Sequence, residues 1–135
     1  MKTRSRPTVL LGGAVVIIAF SWVGLALMGG GDVERARASG VLAGMCETLE
    51  VSSNGGDAQR PFYDEAHEDL HTLAADVTEL DRAVAARLLR AKERVESALS
   101  AEFPDEQLTA MIQTLVDATQ EAARVIDPST EAGCS

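Results

Sequence analysis

The hydrophobic and polar positions divide the chain into two unlike parts. Residues 7–31 form a run of 25 positions without a single charged side chain. As a helix this run is about 37 Å long, which exceeds the roughly 30 Å hydrocarbon core of a bilayer. Trp22 lies toward its far end, where an amphipathic ring suits the membrane–water interface. The run therefore predicts a transmembrane helix.

The flanking residues predict how this helix is oriented and whether it is retained. Lys2, Arg4 and Arg6 precede it, and positively charged flanks favour a cytoplasmic N-terminus. A cleaved signal peptide has a shorter apolar region, and the nearby Ala-x-Ala sequence, at 36–38, lies beyond several charged residues. We predict an uncleaved signal-anchor, with secretion after cleavage as the alternative. The predicted organisation is a cytoplasmic N-terminus (1–6), a membrane segment (7–31), an extracytoplasmic helical domain (32–127) and a C-terminal tail (128–135).

From Asp32 onward the apolar residues recur at helical spacing, and good helix formers are abundant. No run of alternating β-branched residues indicates a strand, so the predicted fold class is all-α. A first helix is expected from about Asp32 to Glu50. Within it Gly40 and Gly44 are one turn apart, which permits close contact with another helix.

The middle of the domain allows two arrangements. The segment 51–57 is a loop by composition, a helix begins near Pro61, and neither Gly nor Pro follows until Pro104. Asp81 would make an acceptable helix N-cap, which favours a four-helix up-and-down bundle. The apolar positions nevertheless keep one phase across Asp81, which favours three helices with a middle helix of about 40 residues. These positions are Phe62, Ala66, Leu70, Leu73, Val77, Leu80, Val84, Leu88, Ala91, Val95 and Leu99.

The last helix is expected to start at residues 103–106, where a proline and two acids suit a first turn, and to end before Asp127 and Pro128.

Cys46 and Cys134 are the two cysteines of the chain, and outside the cytoplasm an even number predicts a disulfide. Two unrelated thiols are the alternative. In an up-and-down bundle the two cysteines would lie at opposite ends, so the predicted bridge favours the long-helix arrangement.

Charge narrows the classes of partner. The formal net charge is −9, and all 21 acidic residues lie at Asp32 or later together with nine of the 12 basic ones, so this part carries −12. An acidic surface with few aromatic residues (4%) argues against a nucleic-acid partner. The mixed-sign segment 88–94 is typical of a solvated helix face. Arginine outnumbers lysine ten to two, which suits a GC-rich bacterial genome.

The one chemical signal is a histidine pair on the second helix. His67 and His71 are four residues apart, so their rings share a helix face, and Asp64 precedes His67 by three positions. Acid-x-x-His arrangements hold metal ions inside helical bundles, and imidazole suits zinc or copper. The three residues are therefore candidate metal ligands. Two other interpretations stay open, namely ordinary packing at the edge of the apolar stripe and a pH-sensing contact.

The same letters match H-E-x-x-H, in which Glu68 would activate a zinc-bound water. A third ligand could only be a later acid such as Glu93 or Glu96, and on a continuous helix these lie more than about 30 Å away. A small zinc hydrolase is therefore a remote alternative, and we predict that the protein is not an enzyme.

These patterns favour a membrane-anchored, extracytoplasmic helical binding or accessory module. Its partner would be another protein or a second copy of the chain. The alternative is a metal-binding (zinc or copper) or pH-sensing helical protein that uses Asp64, His67 and His71.

Overall fold

The computed structural model describes residues 30–101, 103–131 and 133–134, and Gly31–Ser135 form one compact unit. The described residues form four helices and no strand, so the all-α prediction is confirmed. The elements are α1 (Gly30–Ser53), α2 (Gln59–Pro61, Phe62–Ala66 and His67–Thr78), α3 (Arg82–Ser100) and α4 (Asp105–Ile126). Helix α2 is continuous but contains a π-helical turn, Phe62–Ala66.

The predicted membrane segment, apart from its last two residues, lies outside the described residues. Among the helices that the structure describes, none has both the length and the apolar character of a membrane span.

Side-chain contacts show that the helices run alternately up and down. At what we call the lower end, where α1 begins, Arg37 of α1 pairs with Asp76 near the end of α2 at 2.7 Å. At the opposite, upper end, the Gln59 side chain donates to the carbonyl oxygen of Leu99 at 2.9 Å, which joins the start of α2 to the end of α3.

Contacts of α4 close the ring. Ser52 near the end of α1 and Thr109 near the start of α4 share a hydrogen bond of 2.7 Å at the upper end. At the lower end Arg87 of α3 forms a bidentate ion pair with Glu121 of α4. The described chain is therefore an up-and-down four-helix bundle.

The apolar phase favoured one long middle helix, and this prediction is wrong because the chain reverses direction at residues 79–81. Asp81 has extended backbone angles, and its carboxylate accepts hydrogen bonds from the backbone N–H groups of Ala83 and Val84. The periodicity of apolar residues indicates which of them face the core, but it does not indicate the direction in which the helix runs. The stripe itself is confirmed on both sides of the turn, except that Leu80 is 64% exposed in the turn.

The predicted Cys46–Cys134 disulfide is present. The bridge forms without the long middle helix that was predicted from it, because the tail runs back along α1. Asp127, just after α4, lies 4.0 Å from Arg35 near the lower end of α1. Cys46 is about 16 Å further up that helix, and an extended chain of seven residues reaches about 23 Å.

Candidate functional site

The predicted metal ligands lie at and just after the π-helical turn of α2. The rings of His67 and His71 meet edge to face, with centroids 5.2 Å apart. The Asp64 side chain is 67% exposed, and its carboxylate lies 3.7 Å from the guanidinium of Arg60. The structure thus brings the two imidazoles together, while Asp64 is engaged by an arginine.

His67 has two partners on α3 that the sequence analysis did not assign to it. Its Nε2 lies 2.7 Å from Oε1 of Glu96 and 3.1 Å from Nζ of Lys92. The Lys92 ammonium also donates to Oε1 of Glu96, at 2.7 Å. Only 3% of the Lys92 side chain is exposed. We call these three residues the His67–Lys92–Glu96 cluster.

Within this cluster one carboxylate oxygen, Oε1 of Glu96, accepts hydrogen bonds from both nitrogens. The ammonium of Lys92 donates to it, and the short contact with His67 fits a ring whose Nε2 carries the proton and donates as well. Burial by itself raises the pKa of Glu96. The hydrogen bonds and charges of Lys92 and His67 together outweigh that effect and lower the pKa below its ordinary value of 4.5. The cluster therefore joins α2 to α3 through an ionised carboxylate.

The position of Glu96 overturns the distance argument made for a continuous helix. Because the chain reverses at Asp81, α3 runs back beside α2 and brings Glu96 to His67. Lys92 also corrects the interpretation of segment 88–94 as a solvated face. It follows Leu88 by four residues and precedes Val95 by three, so the helical phase already places it on the buried stripe.

Aromatic rings continue from this cluster to the surface. Phe62 is fully buried, and its ring meets the ring of Tyr63 edge to face at 5.0 Å. Tyr63 is 44% exposed and lies 5.3 Å from the ring of His67.

On the other side of the π-helical turn, Gly44 of α1 packs against Ala66. Gly44 therefore provides the predicted close helix contact, whereas Gly40 is exposed and a Cβ at that position would meet no neighbour within 4 Å.

The geometry around His67 is that of a hydrogen-bonded cluster. Lys92 places a cation 3.1 Å from Nε2, one of the two ring nitrogens through which His67 could bind a metal ion. Across the part of the chain that the structure describes, no group of three or more His, Cys, Asp or Glu side chains is arranged to hold a metal ion. Metal binding by Asp64, His67 and His71, and with it the role of Glu68 as a base, stays a prediction.

The surface formed by α1 and α2 is strongly acidic. Glu47 and Glu65 line a groove of about 500 Å³ together with Asp57, Asp64 and Arg60. A hydrogen bond with Glu65, and then the negative charge of Glu65, raise the pKa of Glu47. Glu47 therefore lies close to another acidic side chain on this side of the bundle.

The opposite side, formed by α3 and α4, has a different character. A groove of about 440 Å³ at its upper end is lined by Arg90 and Arg94 together with Phe103 and Met111. Phe103 is 38% exposed, which makes it one of the largest apolar side chains open to solvent among the described residues. A second groove of about 270 Å³ continues toward the lower end.

We call the residues along these two grooves the α3/α4 face. It carries six charged side chains. Helix α3 contributes a net charge of +2 and helix α4 contributes −2, so the face is neutral although the domain carries −12. The six are Arg87, Arg90, Glu93 and Arg94 of α3, and Asp117 and Glu121 of α4.

Comparison of the chain with protein-family models, with curated proteins and with solved structures returned no match.

Proposed function

We propose that the protein is a membrane-anchored helical module whose outer domain binds a protein partner. The observation that carries the proposal is the α3/α4 face. It is a neutral surface with apolar side chains on an otherwise acidic domain, and an exposed aromatic beside arginines is typical of protein interfaces.

The interior of the bundle offers no competing site. Every buried side-chain nitrogen and oxygen in the described residues has a hydrogen-bond partner, so no unpaired polar group inside the bundle awaits a ligand. The grooves of the described residues considered above open at the surface. A packed, disulfide-closed scaffold with grooves on its outside suits binding better than enclosed chemistry.

The membrane arrangement is tested by labelling single engineered cysteines in intact cells. A maleimide that cannot cross membranes should label Asn54→Cys, in the loop after α1, and should label Thr3→Cys only after lysis. The chain should also stay with the membrane after an alkaline carbonate wash. Label on Thr3→Cys in intact cells, or release of the protein by the wash, would contradict the proposed anchor.

Binding is tested by placing a photoreactive amino acid at Ser97, which lines the α3/α4 face, in the full chain in its own membrane. Illumination should give a discrete protein adduct. The matched control carries the same amino acid at exposed Ser39 of α1 and should give none. Equal yields at both positions, or no adduct at Ser97, would argue against a binding role for this face.

A further inference from the structure

The charges of the α3/α4 face are arranged so that the face complements itself. The excess of arginine lies on α3 and the carboxylates of α4 lie beside it at the same height along the bundle, as the Arg87–Glu121 pair shows. A twofold axis parallel to the helices would place α3 of one copy over α4 of a second copy at unchanged height. Each arginine row would then face a carboxylate row.

We propose that the partner of this face is a second copy of the chain, bound as a symmetric dimer. This inference rests on the binding function proposed above and names its partner. A twofold contact uses the same patch on both copies and closes after two subunits, so it leaves no open end.

The net charge of the domain supports this choice of face. Two copies of the outer domain, each with a net charge of −12, repel each other over most of their surfaces. The acidic α1/α2 side would bring together carboxylates that already raise the pKa of Glu47. The α3/α4 face is neutral, and its unlike rows attract at distances shorter than a Debye length of about 8 Å.

Two arginines of the face form no ion pair with another residue that the structure describes. Among the ion pairs of the described residues, none involves Arg90 or Arg94. They follow one another by four positions on α3, where like charges destabilise a helix. Asp117 lines the same groove as both arginines, so a second copy would bring its Asp117 opposite them.

The apolar residues of the face suit a contact near the axis. Phe103 and Met111 line the groove between α3 and α4, which is where the axis would pass. The axis also keeps the first residues of both α1 helices at the same end of the dimer. Two chains that each continue from α1 into an anchor can therefore enter one membrane.

The experiment uses the full chain in membranes and a thiol-to-thiol bismaleimide crosslinker. Both native cysteines form the disulfide, so Ser97→Cys supplies a unique thiol on the face and Ser39→Cys supplies the control on α1. The Ser97→Cys chain should give a product of twice the monomer mass, and the Ser39→Cys chain should not.

Charge reversal then tests the pairing. In the Ser97→Cys background, Arg90→Glu and Asp117→Arg should each lower the yield of the dimer about tenfold, because both contacts of the dimer then bring like charges together. Expressing the two variants in one cell should restore the yield. In one contact of the mixed dimer the introduced glutamate would face the introduced arginine, and in the other contact the native residues would pair. Arg60→Glu/Arg82→Glu, which changes exposed arginines elsewhere, should leave the yield unchanged.

Three outcomes would overturn the second copy as the partner. One is a dimer yield that Arg90→Glu does not lower, and another is failure of the mixed variants to recover it. The third is a Ser97 adduct that contains a different protein, which would leave the proposed binding function standing and refute only the dimer. Circular dichroism of each variant shows whether a lost yield reflects lost folding.

Discussion

At the residue scale, Lys92 sets the character of the candidate site. It is the only lysine after residue 31, in a part of the sequence whose other basic side chains are arginines, and it lies on the buried stripe of α3. A buried charge is tolerated when it is paired and hydrogen-bonded, and Glu96 provides both, while the ring of His67 lies beside the ammonium. The cluster therefore fixes how α2 and α3 pack against each other and leaves His67 little freedom for a metal.

Replacing Lys92 tests how strongly the cluster holds the two helices. Lys92→Met keeps most of the side-chain volume but removes the donor, and we expect the free energy of unfolding to fall by about 1–3 kcal/mol. Urea unfolding measures it. Arg82→Met, an exposed change at the start of the same helix, should stay within about 0.5 kcal/mol of the native protein. Equal effects of the two changes would mean that the buried ammonium adds no stability.

The lowered pKa of Glu96 predicts a pH dependence of known sign. The folded protein binds this proton more weakly than the unfolded chain, so the stabilisation is complete above the ordinary value of 4.5 and is lost as pH falls through the lowered value. The difference in unfolding free energy between the native protein and Glu96→Gln should be fully present at about pH 6. Below about pH 4.5 it should shrink, because the variant has nothing to titrate at this position. A difference that persists unchanged down to about pH 3 would contradict the lowered pKa.

Zinc addition tests the metal hypothesis directly. Because Lys92 lies beside Nε2 of His67 and Arg60 engages Asp64, we expect equimolar Zn²⁺ to leave the melting temperature unchanged. A ligand that binds only the folded state would raise it. A rise that disappears in His67→Ala/His71→Ala would show instead that the histidines bind the ion and displace the lysine.

At the scale of the elements, the turn at residues 79–81 decides the architecture. The apolar stripe continues through it without a change of phase, because Val77 and Val84 are seven residues, or two helical turns, apart. The signal that separates α2 from α3 is local, because it is the carboxylate of Asp81 that caps the start of α3. Asp81 is recognisable in the sequence as an acceptable cap, and in the structure this cap ends the helical run although the apolar phase continues.

Removal of this cap should weaken α3. Asp81→Ala deletes the acceptor for the N–H groups of Ala83 and Val84, and we expect a loss of about 1 kcal/mol in the free energy of unfolding. Asp81→Asn retains an acceptor and should lose less. Thermal unfolding followed by circular dichroism measures both, and Glu79→Ala, exposed in the same turn, is the control. If Asp81→Asn lost as much stability as Asp81→Ala, the capping hydrogen bonds would not be the cause.

At the scale of the whole molecule, the disulfide ties the tail to the first helix across 88 residues of sequence. The tail begins with a tight turn in which Ser129 donates two hydrogen bonds to the Asp127 carboxylate, one from its hydroxyl and one from its backbone N–H. These bonds, led by that of the hydroxyl, lower the pKa of Asp127. The bridge and the turn together hold the end of the chain against the bundle.

Loss of the bridge should be the largest single change in stability. In the chain-entropy model a loop of this length stabilises the fold by about 4–5 kcal/mol. Cys46→Ser/Cys134→Ser should therefore unfold at a much lower urea concentration than the native chain, and reductant should lower the native midpoint to that of the variant. Reductant should not change the variant. A native midpoint that resists full reduction would show that helix packing alone supplies the stability.

The sequence by itself determined the all-α class, the buried stripes, most helix limits and the disulfide partners. Each of these follows from local spacing or from a count of residue types. Only the tertiary structure decided that the chain reverses at Asp81, that the tail climbs along α1, and that Lys92 and Glu96 meet His67. These facts depend on the direction of the helices, and a periodic pattern has the same phase whichever way the next helix runs. The α3/α4 face has the same origin, because its two rows of charge lie on helices that only folding places side by side.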